Sequence, residues 1–225
     1  MQAMRQFFFL LTIIIAGYAF MPVSKKKVIF FGDSITELGV KPGGYITKMD
    51  SICKAEGRSA EFEFAGSGIS GNKVYDLYLR LEDDVLAKKP DIVVIYVGVN
   101  DVWHKTLLGT GTDPDKFEKF YLAILKKLKD NNIKAVLCTP AVVGEKTDMS
   151  NPLDGDLNRY SNIIRDIAKK NTLVLIDLRQ KFLDYLKDNN PGNQEKNILT
   201  YDKVHMNAKG NEFLALTMWD VIKKI

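Results

Sequence analysis

The 225-residue sequence predicts an α/β fold, a three-layer α/β/α sandwich on a five-stranded parallel sheet. Three observations carry that prediction. Five runs of strand length are apolar almost without interruption, as strands buried on both faces are. Each is separated from the next by a longer segment with helical apolar period. After residue 23 no repeat, low-complexity tract or Gly/Ser/Pro linker divides the chain, so one domain accounts for residues 24–225.

In order, the first strand is expected at Val28–Phe31, and Ser34, just past it, is placed to open the following helix behind Gly32-Asp33. A helix near Tyr45–Glu56 leads to a second strand at Glu61–Ala65 and a loop rich in glycine, Gly66-Ser67-Gly68-Ile69-Ser70-Gly71-Asn72. A helix near Val74–Ala87 returns the chain to a third strand, Ile92–Val97. Residues 98–113 read as irregular, and a helix over Pro114–Lys129 precedes the fourth strand, Ala135–Cys138. A second irregular stretch, 139–155, leads to a helix at Leu157–Lys170 and the fifth strand, Leu173–Ile176. Lys181–Lys187 reads as helical, 188–206 as irregular, and Asn207–Lys224 as the final helix. Crossovers between parallel strands should be right-handed. The three irregular stretches follow strand ends or a late helix, on the edge where open parallel sheets bind ligands.

Composition narrows the chemistry. The net charge is 32 minus 28, or +4, and 26 of the 32 basic residues are lysines interspersed with acids, as in Lys116-Phe117-Glu118-Lys119. Such runs are solvated helix faces. No arginine-rich stripe interleaved with aromatics is present, so no nucleic-acid partner is expected. Two cysteines cannot make a disulfide scaffold or a cysteine zinc site, and two histidines exclude a three-histidine metal centre. No metal and no cofactor are expected. Cys53 falls in a helical pattern and Cys138 at a strand end, which predicts two buried thiols.

Residues 1–23 have a composition of their own: Arg5, an apolar block from Phe7 to Ala16, then Gly17-Tyr18-Ala19. This is the layout of an export signal, with cleavage expected after Ala19 and an uncleaved amino-terminal anchor as the alternative. The block is shorter than the roughly 20 apolar residues a membrane span requires. The expected location is therefore periplasmic or secreted, with membrane attachment only if the segment is retained.

Four short motifs hold the chemistry. Gly32-Asp33-Ser34-Ile35 follows the first strand, Gly71 lies in the loop after the second, Gly98-Val99-Asn100-Asp101 follows the third, and Asp202-Lys203-Val204-His205 precedes the last helix. Each alone is weak: Asp and Ser cap helices, glycines make tight turns, and an isolated Asp-x-x-His is common. The glycine loop lacks the Gly-Lys-Ser/Thr ending of a phosphate loop. A carboxylate three residues before an imidazole is spaced to orient the ring.

Taken in order, the four motifs resemble those of the SGNH, or GDSL, hydrolase family, over essentially the whole mature chain. The resemblance implies the SGNH hydrolase fold, with its strands in flavodoxin-like order. It implies Ser34 as nucleophile, His205 as general base, Asp202 as its orienting carboxylate, and Ser34, Gly71 and Asn100 as oxyanion donors. Lys203 stands where the family commonly has a small residue. Asp33 is expected at the substrate pocket, and Trp103 and His104 are expected either to line that pocket or simply to be packed there. Asp101-Val102-Trp103-His104 repeats the Asp-x-x-His spacing as a rival dyad, ranked second because Asn100 assigns that loop to the oxyanion hole.

The expected activity is hydrolysis of a small carboxylic ester through an acyl-enzyme on Ser34, with a short acyl group such as acetate, for instance from a carbohydrate. The 100–111 and 140–154 stretches should shape the pocket, and their residues Trp103, Glu145, Lys146 and Asp148 favour a polar small ester over a long lipid. Alternatives are a lysophospholipase or thioesterase of the same family, or a non-catalytic sugar-binding module on this scaffold. The partner expected is a small-molecule ester, with no obligate protein partner.

Overall fold

The computed structural model describes residues 24–225, and the expected export segment at residues 1–23 lies outside them. The chain forms β1 (Lys26–Gly32), α1 (Ser34–Gly39), α2 (Tyr45–Ala55), β2 (Phe62–Gly68), α3 (Val74–Asp84), β3 (Ile92–Tyr96) and α4 (Val99–Leu108). It continues through α5 (Pro114–Asp130), β4 (Lys134–Cys138), α6 (Asp154–Asn171), β5 (Val174–Ile176), α7 (Leu178–Asn189) and α8 (Ala208–Ile222). The strands are all parallel, in the order β2-β1-β3-β4-β5.

Alternation along the strands builds two cores. Val28 and Phe30 of β1, with Ile92 and Val94 of β3, face α2, α7 and α8, whose Met49, Phe182 and Trp219 cover them. Ile29 and Phe31, with Val93 and Ile95, face α3, α5 and α6 through Leu77, Tyr121 and Ile164. Because both faces are covered, the central strands carry no polar alternation, and this is why they were legible as unbroken apolar runs. Both cysteines are free and buried.

The ends of the first three strands are drawn tightly together. Gly32 is in register with Gly68 of β2 and with Tyr96 of β3. A Cβ on Gly68 would lie 2.1 Å from the Glu37 amide nitrogen and 2.6 Å from the Asp33 carbonyl oxygen. Glycine there lets α1 settle backbone to backbone on the end of β2.

Among the boundaries that differ from the sequence expectation, which include β2 running on to Gly68 and α6 starting at Asp154, two have a clear local cause. Residues 99–108, read as irregular, are the helix α4, entered through Gly98 at φ +128° and closed by Gly109 at φ +68°. Its apolar signal is one short stripe, Val99, Val102 and Trp103, and its Asn100 and Asp101 are buried for hydrogen bonding rather than for packing. Helix α7 begins at Leu178, three residues earlier than expected, because the Asp177 side chain accepts from the Gln180 amide and caps it. Among the described residues no helix is long and apolar enough to cross a membrane.

Candidate active site

At the end of β1, Asp33 caps α1 by accepting from the Ile35 amide at 3.0 Å, which places Ser34 as the first helical residue. Ser34 is 8% exposed. Its Oγ lies 2.8 Å from Nε2 of His205, and Nδ1 of that ring lies 2.6 Å from Oδ2 of Asp202. The other Asp202 oxygen accepts from the amides of Val204 at 3.1 Å and His205 at 2.7 Å. Burial alone would raise the Asp202 carboxyl, but the His205 ring and these two amides hold it below its ordinary value. With Nδ1–H donated to Asp202, Nε2 is left to accept the serine proton, a tautomer set by the hydrogen-bond partners.

The predicted oxyanion donors stand on the neighbouring loops. Gly71 has φ +77°, a left-handed conformation that disfavours any side chain. Its loop is anchored on both sides. Ser70 donates its amide and hydroxyl to Oε2 of Glu37, both at 2.6 Å, and the Lys73 ammonium donates to the Gly71 carbonyl at 3.2 Å. Asn100, at the start of α4, gives one Nδ2 proton to the Asn72 carbonyl at 3.1 Å, which ties α4 to the Gly71 loop. A side-chain amide has two such protons, so one remains for a ligand.

The structure separates the two Asp-x-x-His candidates. Asp101 is buried with Oδ1 accepting from the Val74 amide at 3.2 Å, so it does not orient His104. His104 stands one helical turn after Asn100, its ring 5.5 Å from that of Trp103 and its Cε1 3.7 Å from where a Gly71 Cβ would be. Its Nδ1 is buried without a partner. Burial, and secondarily the Lys73 charge, push the imidazole below its ordinary pKa, which favours the neutral ring. Trp103 is half-buried against the core.

Two expectations are corrected. Asp33 does not line a pocket: it is 1% exposed and committed to the α1 cap, and burial, with a smaller push from Asp101, raises its carboxyl from 3.8 to about 7. Glu145 is no pocket wall either, being fully buried with its carboxylate turned onto backbone amides. Sequence reasoning missed Tyr201, whose ring stacks on His205 with centroids 5.9 Å apart and planes 20° apart and is 49% exposed. Its position beside Asp202 was the available signal. A separate apolar cleft of about 630 Å³, lined in part by Leu125, Ile133 and Leu173, lies at the amino-terminal ends of β4 and β5, away from this arrangement.

Comparison with known proteins places the chain in a family of hydrolases. The model of the GDSL-like lipase/acylhydrolase family matches residues 30–213. The acetylxylan esterase of Geobacillus stearothermophilus is 29% identical over 208 residues, covering 85% of this chain and 91% of that protein. The crystal structure of an acetyl xylan esterase, AlAXEase, superposes with a TM-score of 0.86 at 60% identity, over 87% of this chain and 99% of that one. A catalytic serine-to-alanine mutant of the Geobacillus stearothermophilus enzyme superposes at 0.77 with 28% identity, over 90% and 96%. Other catalytic mutants of that enzyme replace an aspartate and a histidine three positions after it.

Proposed function

Since this chain belongs to the GDSL-like lipase/acylhydrolase family and is a carboxylic ester hydrolase, we propose that it removes acetyl groups from a carbohydrate, with Ser34 as its nucleophile. The observation that carries this reading is the unbroken hydrogen-bond chain from Ser34 through His205 to Asp202. As the Ser34 oxygen attacks the acetyl carbonyl, its proton passes to Nε2 of His205, and Asp202 stabilises the imidazolium that forms. Negative charge develops on the former carbonyl oxygen, to which the Ser34 and Gly71 amides and the free Asn100 Nδ2 proton donate. Loss of one such donor typically costs roughly 2.7–4 kcal/mol of transition-state stabilisation. His205 returns the proton to the departing sugar oxygen, and the same machinery then activates water against acetyl-Ser34.

Similarity to two acetylxylan esterases over nearly their full lengths supports the acetyl and carbohydrate parts of the proposal. The exposed Tyr201 ring against the base offers the flat apolar surface on which the C–H face of a sugar ring rests. Export by residues 1–23 is part of the same proposal, because a polymeric xylan substrate lies outside the cell. The test is a panel of nitrophenyl esters from acetate to palmitate, run beside acetylated xylo-oligosaccharides. The expected result is a maximum at acetate and release of acetic acid from the oligosaccharides. A maximum at long chains would overturn the short-acyl assignment.

A further inference from the structure

The segment that carries Asp202 and His205 has no helix or strand to hold it, yet it delivers a ring nitrogen to within 2.8 Å of a hydroxyl 171 residues away in sequence. What fixes it lies on the loop after β4. Glu145 is fully buried, and its carboxylate oxygens meet three consecutive amides. Oε2 accepts from Ile198 at 2.8 Å, and Oε1 accepts from Leu199 at 2.7 Å and Thr200 at 2.6 Å. The backbone adds two ties, from the Glu145 amide to the Glu195 carbonyl and from the Gly144 amide to the Lys203 carbonyl, both 2.9 Å.

Residues 201–205 hang directly from this clamp. Thr200 and Met206 form an isolated antiparallel bridge, and the Tyr201 amide donates to the His205 carbonyl at 3.0 Å, so the turn bearing both side chains is closed at its base. Within it Lys203 is held at φ +87°, a left-handed conformation unfavourable for a side-chain-bearing residue, and its carbonyl is the one that Gly144 ties. Three amides in a row without secondary structure need acceptors at fixed spacing, and a single carboxylate with both oxygens engaged supplies them.

We propose that Glu145 is a positioning residue for the reaction, setting through the 198–200 amides the depth at which His205 meets Ser34; this rests on the reading of Ser34, His205 and Asp202 as the catalytic triad. Glu145→Gln places an amide group against one of the three donors, so the turn should shift while substrate contacts stay. In the full chain, kcat on nitrophenyl acetate should fall about 10- to 100-fold while KM changes less than about threefold. In a His205→Ala background, where the residual rate no longer depends on the base, adding Glu145→Gln should cost nothing further. A folded Glu145→Gln enzyme with wild-type kcat, or the same loss in the His205→Ala background, would overturn the proposal. If Glu145→Gln fails to fold, Glu145→Asp, which keeps the charge but shortens its reach, is read by the same two measurements. Should His205→Ala itself retain the full rate, the triad reading fails instead, and the two failures are distinguished.

Discussion

Asp33 shows how one residue beside the nucleophile links catalysis to stability. Its carboxyl is held near 7, first by burial, and Asp101 is raised to about 7 for the same leading reason. A buried carboxyl with a raised pKa keeps its proton in the folded chain at pH values where the unfolded chain has released it. Its favourable contribution is therefore complete at acid pH and is lost as pH rises from about 4 to about 7. Asp202, held below its ordinary value, acts in the opposite sense, its contribution being lost only as pH falls into the acid range. Asp33→Asn keeps an acceptor for the Ile35 amide and removes the ionisation. In urea titrations at pH 5 and pH 8, the wild type should lose more stability on going to pH 8 than the variant does; equal losses would contradict the assignment. The role of Asp33 as a cap was legible from Gly-Asp-Ser, whereas its complete burial, which removes it from the pocket, is a property of the folded chain that a short motif does not carry.

Among the elements, the ends of β1 and β2 are tied to the Gly71 loop by a single side chain of α3. Arg80 donates through Nη2 to the Gly32 carbonyl at 2.8 Å and the Ser67 carbonyl at 3.0 Å, and through Nε to Oδ1 of Asn72 at 2.7 Å. Nη1 reaches the Ser67 hydroxyl at 3.0 Å and Asp84 at 2.6 Å, while the guanidinium lies 4.5 Å from the Phe31 ring centroid. The ends of β1 and β2 and the Gly71 loop thus share one planar fork that an ammonium cannot reproduce. Arg80→Lys should cost about 1–3 kcal/mol in urea denaturation and lower kcat as the Gly71 amide loses its fixed place; unchanged stability and kcat would show that the fork is dispensable. No sequence pattern announced this, because an arginine in an amphipathic helix reads as a solvated face. Helix α4 escaped for the complementary reason, its buried Asn100 and Asp101 interrupting the apolar period that marks a helix.

For the whole molecule, the topology explains why four scattered motifs form one site. With β2, β1 and β3 adjacent and parallel, their carboxyl ends bring Gly71, Ser34 and Asn100 side by side, and only the Asp202–His205 turn has to be added from elsewhere. The order of the motifs and the apolar strands were therefore enough to read the sheet and the candidate residues from the sequence. The distances were not legible, since the clamp from Glu145 and the fork from Arg80 are contacts between segments far apart in the chain. In the proposed function His205, and not His104, activates Ser34. The deciding measurement is the rate at which a fluorophosphonate labels Ser34, mapped by peptide mass, in the wild type, His205→Ala and His104→Ala. Labelling of Ser34 should be rapid in the wild type, almost completely lost in His205→Ala and largely retained in His104→Ala. Loss in His104→Ala with retention in His205→Ala, or labelling at another residue, would contradict it.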